Sequence, residues 1–186
     1  MDGWLKKSPW ALMGLRLALG PILLLDALDG VTDLWYVAGL GLAILSDILD
    51  GMLARRLGVA SVRLRRVDSL VDSLLFLFVA AAAWAAHRAV LLETGWLLWT
   101  MLALSLLSQI PALVKFGRAA AYHAYSAKLA GLALLGAGGL LFGWGLGGTL
   151  LKVSLGIAIL SHIERVVITF LLPEWRTDVA GFWAAR

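Results

Sequence analysis

Six runs of mostly apolar residues, 10–28, 34–53, 67–86, 97–114, 127–144 and 150–172, occupy most of this chain and leave only short polar connections between them. A bilayer-spanning helix needs roughly 20 such residues, so each run has the length of one crossing. The composition agrees. With 61% hydrophobic and 15% charged residues and a mean hydropathy of +0.89, the chain is too apolar for an ordinary soluble domain. The expected fold is an all-α integral membrane protein of six transmembrane helices in a single domain over residues 1–186, with a short N-terminal interfacial segment at Trp4, Lys6, Lys7 and Trp10. The run at 10–28 is long for a signal peptide and no small-residue cleavage site follows it, so it reads as a retained span.

The formal charge of +4 does not mark a nucleic-acid-binding face, because the basic residues fall near alternate connections. Of the 16 Lys and Arg, all but Arg88 and Lys152 lie on one side of the six-span arrangement. By the positive-inside rule that side is cytoplasmic, which places both termini there. With no cysteine, disulfides and thiolate metal sites are excluded. Trp35, Trp96, Trp144 and Trp175 fall near span ends, as an interfacial aromatic belt does.

Against this apolar background the segment 46–73 is anomalous. It carries Asp47, Asp50, Asp68 and Asp72 beside five arginines. Spacings of three and four put each pair of carboxylates on one helix face, at the end of span two and the start of span three, hence at the same membrane face. An Asp at the centre of a transmembrane helix costs about 2.5–3.5 kcal/mol, so four buried centrally would cost roughly 10–14. Solvated helix ends flanking a loop account for the arginines but poorly for four paired carboxylates. Two facing pairs are suited to hard cations, Mg²⁺ or Mn²⁺, which take oxygen ligands. Two such ions stabilise in-line displacement at phosphorus. Arg55 and Arg56 neutralise phosphate oxygens, and Gly51 and Ala54 leave room beside the helix backbone.

Asp47-x2-Asp50-Gly51-x2-Ala54-Arg55-x8-Leu64-x3-Asp68-x3-Asp72 resembles the signature of the CDP-alcohol phosphotransferase (CDP-alcohol phosphatidyltransferase) family, D-x2-D-G-x2-A-R-x8-G-x3-D-x3-D, at seven of eight fixed positions. The departure is Leu64, where the family has its second glycine. A side chain there obstructs a nucleotide lying close to the start of span three or shifts that helix, and Arg65 and Arg66 offer compensating phosphate contacts. The resemblance implies a six-helix membrane enzyme of phospholipid biosynthesis, a homodimer, in a bacterial or archaeal inner membrane. It would move a substituted phosphate, commonly phosphatidyl, from a CDP-linked lipid such as CDP-diacylglycerol to an alcohol and release CMP. Asp47, Asp50, Asp68 and Asp72 would bind two Mg²⁺ or Mn²⁺ ions, Asp72 would also be the base, and Gly51, Ala54 and Arg55 would lie against the CDP moiety.

A second basic cluster, Lys115, Arg118, His123 and Lys128, suits together a phosphorylated acceptor such as inositol phosphate or glycerol 3-phosphate; topology-setting charge explains each residue alone equally well. In span six, His162, Glu164 and Arg165 read as a structural polar network, with Glu164 able to brace Arg16. Arg16 itself either snorkels outward or points into a polar cavity. Two other functions fit the pattern less well. A cation or proton transporter calls for acidic residues along a path through the membrane, not at one face. A lipid-binding scaffold leaves the four aspartates unexplained.

Overall fold

The computed structural model describes residues 8–59, 61–122 and 124–185, with Val62 and Arg65 described for backbone only. Trp4, Lys6, Lys7, His123, Arg186 and the side chain of Arg65 therefore lie outside the described residues. Every regular element among the described residues is helical: α1 (Ser8–Ala27), α2 (Leu34–Arg56), α3 (Val62–Leu107), α4 (Ile110–Phe116), α5 (Tyr125–Trp144), α6 (Gly148–Leu171) and a 3₁₀ turn at Phe182–Ala184. The elements form two compact units, one built on residues up to Arg88 together with Phe142–Gly145, the other on the remaining described chain.

Among the described residues five helices, not six, are long and apolar enough to cross a membrane: Ser8–Ala27, Leu34–Arg56, Arg66–Phe116, Tyr125–Trp144 and Gly148–Leu171. The expected spans three and four lie within one helical stretch, in which two helices meet at a kink at His87 and no loop separates them. The Ala-rich sequence around it favours helix and contains no proline to break it. Only His87 leaves helical backbone angles (φ −128°, ψ 31°). At 1.5 Å per residue the 46 residues of α3 would extend about 69 Å if straight, more than twice the hydrocarbon core of about 30 Å. Large apolar side chains such as Phe76, Trp99, Leu106 and Val114 are exposed, as lipid-facing residues are.

In the first unit, α2 begins at Asp33, whose side chain accepts hydrogen bonds from the backbone N–H of Trp35 (2.7 Å) and Tyr36 (3.3 Å), satisfying otherwise orphaned donors. Small residues let α1 approach its neighbours closely. A Cβ on Gly20 would lie 2.6 Å from Phe78 Cδ2, and one on Gly39 would lie 2.8 Å from Leu23 Cδ2. Leu23, Ala27, Tyr36, Ala82 and Phe142 form a core in which the Tyr36 and Phe142 rings stack at 4.6 Å, and His87 Nε2 pairs with Thr32 Oγ1 at 2.7 Å. Gly20→Leu is expected to overpack this contact at a cost of about 1–3 kcal/mol, seen as a lower Tm in detergent. Gly14→Leu, where nothing lies within 4 Å of the added Cβ, serves as the control and should keep or raise Tm.

In the second unit, Leu97, Ala137, Leu141, Leu151 and Leu155 form one core, and Ser154 Oγ donates to the Ala133 carbonyl across α5 and α6 (3.0 Å). A second cluster joins Tyr122, Ala124, Ile168 and Leu172 to Val179 and Ala185 of the tail. The tail is tied down by Tyr125 N–H to Ala180 O (3.0 Å) and Asp178 N–H to Ala121 O (3.2 Å). Lys115 Nζ donates to the carbonyls of Thr169 (3.0 Å), Phe170 (3.0 Å) and Leu172 (2.8 Å), closing the C-terminal end of α6, where carbonyls lack helical partners.

Candidate active site

The last turns of α2 carry Asp47 and Asp50, and the chain turns back through Leu57 and Gly58, whose φ of +66° is open to glycine without strain. Ser61 then caps α3, its Oγ accepting from Leu64 N–H at 3.1 Å. This short reversal brings Asp68 and Asp72 of α3 beside the α2 pair. All four meet one side chain of α1. Arg16, only 1% exposed, bonds Asp47 and Asp72 through Nη1 and Asp50 and Asp68 through Nη2, the Asp68 contact being 3.0 Å. Of the two alternatives for Arg16, the polar interior is the one found. Glu164 does not brace it. Glu164 accepts from Ser126 Oγ and from Phe182 N–H.

With all four carboxylates ionised, one guanidinium leaves a formal charge of −3 around buried Asp50, an arrangement that calls for further positive charge. Ligand oxygens of Asp47, Asp50 and Asp68 lie within 4.8 Å of one another. These all-oxygen donors fit a hard divalent cation. Asp72 stands outside that trio and is half exposed.

Two cavities of different chemistry meet the carboxylates. One, of about 140 Å³, is lined by Asp50 and Asp68 together with Met13, Gly51, Ala54, Arg55 and Leu64. Leu64 is buried against Met13, Ala54 and Val71, so its side chain forms part of that cavity's wall. The other, of about 260 Å³, has Arg16, Asp47 and Asp72 at its polar part and is otherwise lined by Leu40, Ala43, Ile44, Leu75, Phe76 and Val79. The cluster is thus approached through Asp50 and Asp68 from a cavity that also holds Arg55, and through Asp47 and Asp72 from a more apolar one.

The basic residues of the second unit are dispersed in their contacts. Lys115 is engaged by the α6 carbonyls, Arg118 lies over the Trp175 ring at 5.1 Å, and Lys128 lies over the Tyr125 ring at 5.3 Å. A residue whose sequence position reads as structural lines a cavity instead. Arg165 lines a cavity of about 130 Å³ with Tyr122 and Ser161, donates to Ser108 Oγ at 3.0 Å, and has no carboxylate within ion-pair reach among the described residues. Its signal in the sequence is its place as an arginine within an apolar helix.

A model of the CDP-alcohol phosphatidyltransferase family matches residues 7–172. Neither the curated proteins nor the solved structures give a match. The family match covers the aspartate cluster, both cavities beside it and all of α6, and on that breadth the chain belongs to the CDP-alcohol phosphatidyltransferase family, transferases that move a phosphatidyl group from a CDP-alcohol to an acceptor.

Proposed function

We propose that this integral membrane protein transfers the phosphatidyl group of a CDP-linked lipid, such as CDP-diacylglycerol, to an alcohol at the cytoplasmic face and releases CMP. The observation that carries this reading is the position of the carboxylate cluster between a cavity that also holds Arg55 and a second, more apolar one. The bond to be broken in a CDP-lipid likewise lies between a nucleotide and two acyl chains. Gly51, Ala54 and Arg55 face the nucleotide part, and the groove along Leu40, Ile44, Leu75 and Phe76 receives an acyl chain.

The family generally uses a divalent metal, and Asp47, Asp50 and Asp68, with Asp72 beside them, are the residues that would hold Mg²⁺ or Mn²⁺. Bound there, the ions would supply charge neutralisation of the pyrophosphate and would make CMP a better leaving group. Asp72, outside the tight trio and open to the apolar groove, takes the proton from the acceptor hydroxyl. The acceptor oxygen forms a bond to the phosphatidyl phosphorus as the bond to CMP oxygen breaks. The working form is a homodimer, which light scattering of the detergent-solubilised protein measures.

Gly51 offers a selective test. A Cβ there meets only Arg55 Nη1 at 3.6 Å and Nη2 at 3.9 Å, ordinary contacts, and Gly→Ala within a helix is worth up to about 1 kcal/mol in its favour. Gly51→Ala is therefore expected to keep or raise Tm while weakening CDP binding in a calorimetric titration with Mg²⁺. Leu64→Gly should act in the opposite sense on CDP, because it enlarges the same cavity.

For the acceptor we favour an anionic alcohol, inositol phosphate or glycerol 3-phosphate. Lys115 is occupied by the α6 carbonyls, so the weight falls on Arg118 and Lys128, joined by Arg165 with its cavity. Lys128→Ala and Arg165→Gln are expected to raise the KM for a phosphorylated acceptor about tenfold or more, the scale of a lost charge-assisted hydrogen bond. A neutral acceptor such as inositol should be little affected; equal losses for both would remove the assignment.

A further inference from the structure

Arg16 lies outside the aspartate motif, yet it is the most heavily engaged side chain in the first unit. Each of its terminal nitrogens joins one carboxylate of α2 to one of α3, Nη1 linking Asp47 with Asp72 and Nη2 linking Asp50 with Asp68. A planar fork of fixed charge can do this and a point charge cannot. Without a cation at that place the four carboxylates repel one another.

We propose that Arg16 is the resident cation of the metal-free site. It pins α1, α2 and α3 together, competes with divalent ions for Asp47, Asp50 and Asp68, and adds a positive charge that helps the metal-loaded site hold the donor's pyrophosphate. The last role follows from charge: four carboxylates cancel two divalent ions, and the guanidinium makes the whole cationic. The inference rests on the metal reading above, and its test separates the two.

Removal of the charge moves two affinities in opposite directions, which a merely structural arginine does not do. Purified metal-free protein is titrated with Mn²⁺, then with CDP at saturating Mn²⁺, for wild type, Arg16→Gln and Arg16→Lys, with Tm recorded before and after Mn²⁺. Arg16→Gln is expected to bind Mn²⁺ about tenfold more tightly, consistent with an interaction of a unit charge across a few ångströms at intermediate dielectric. It should also lose Tm without metal, gain more Tm than wild type when Mn²⁺ is added, and bind CDP about tenfold more weakly.

Arg16→Lys keeps the charge but cannot bridge both carboxylate pairs, so it should bind Mn²⁺ more tightly than wild type while retaining most CDP affinity. That variant carries the test if Arg16→Gln does not fold without metal. Mn²⁺ affinity unchanged or reduced in the folded variants overturns the inference and leaves the metal site standing. Absence of Mn²⁺ binding in wild type and variants alike overturns both.

Discussion

Asp72→Asn is expected to slow CMP release from CDP-diacylglycerol by about 10²–10⁴-fold, the usual contribution of a positioned general base, while Tm in detergent changes little. The amide keeps the size of the carboxylate but cannot accept the acceptor's proton. Arg16 retains Asp47, Asp50 and Asp68 as partners, and half-exposed Asp72 is not needed to fill a core. Initial rates of CMP formation, measured with saturating Mg²⁺ in detergent–lipid micelles, check it. A variant that kept wild-type turnover would move the base role to another group.

Removal of divalent metal is the second large effect. With EDTA in excess, CMP release should fall to background and return when Mg²⁺ or Mn²⁺ is restored, because neutralisation of the pyrophosphate is lost with the ions. Binding also stabilises the fold: a ligand at 100 times its Kd adds about 2.7 kcal/mol to the native state. Tm should therefore rise with Mg²⁺ in wild type. Asp50→Ala, which removes a buried member of the oxygen trio, should abolish most of that rise. A cluster serving a proton path or a lipid-binding scaffold gives neither the chelator loss nor the CMP.

Much of the fold and of the aspartate site is legible in the amino-acid sequence. Spacings of three and four along helices are local facts, so the face shared by Asp47 and Asp50 and that shared by Asp68 and Asp72 can be read directly. The bounds of α1, α2, α5 and α6 follow from apolar runs between turn residues, as at Gly30 (φ +85°) and Gly145 (φ +66°). The expected spans three and four fall within one helical stretch because no proline interrupts 87–93, and the two helices of that stretch meet at the kink at His87.

What the sequence hides is long-range. The partners of Arg16 lie 31 to 56 residues away, and no local pattern distinguishes a buried counter-cation from a topology-setting arginine near a helix start. Lys115 resembles an anion ligand until its three carbonyl partners, 54 to 57 residues downstream, are known. Leu64 is recognisable as a departure from the family motif, but only its packing against Met13 and Ala54 makes it a wall of the cavity beside Asp50 and Asp68.

The most direct measurement is made in Mg²⁺-containing liposomes holding the purified protein and CDP-diacylglycerol labelled in both its cytidine and its acyl chains. Glycerol 3-phosphate, inositol phosphate, inositol, serine and choline are supplied one at a time. The predicted result is CMP and a new phosphatidyl lipid in equal amounts with at least one acceptor, strongest with a phosphorylated one, and neither product from Asp72→Asn. CDP-diacylglycerol left intact with every acceptor, by a protein that binds CDP and Mg²⁺, would contradict the transfer reaction itself.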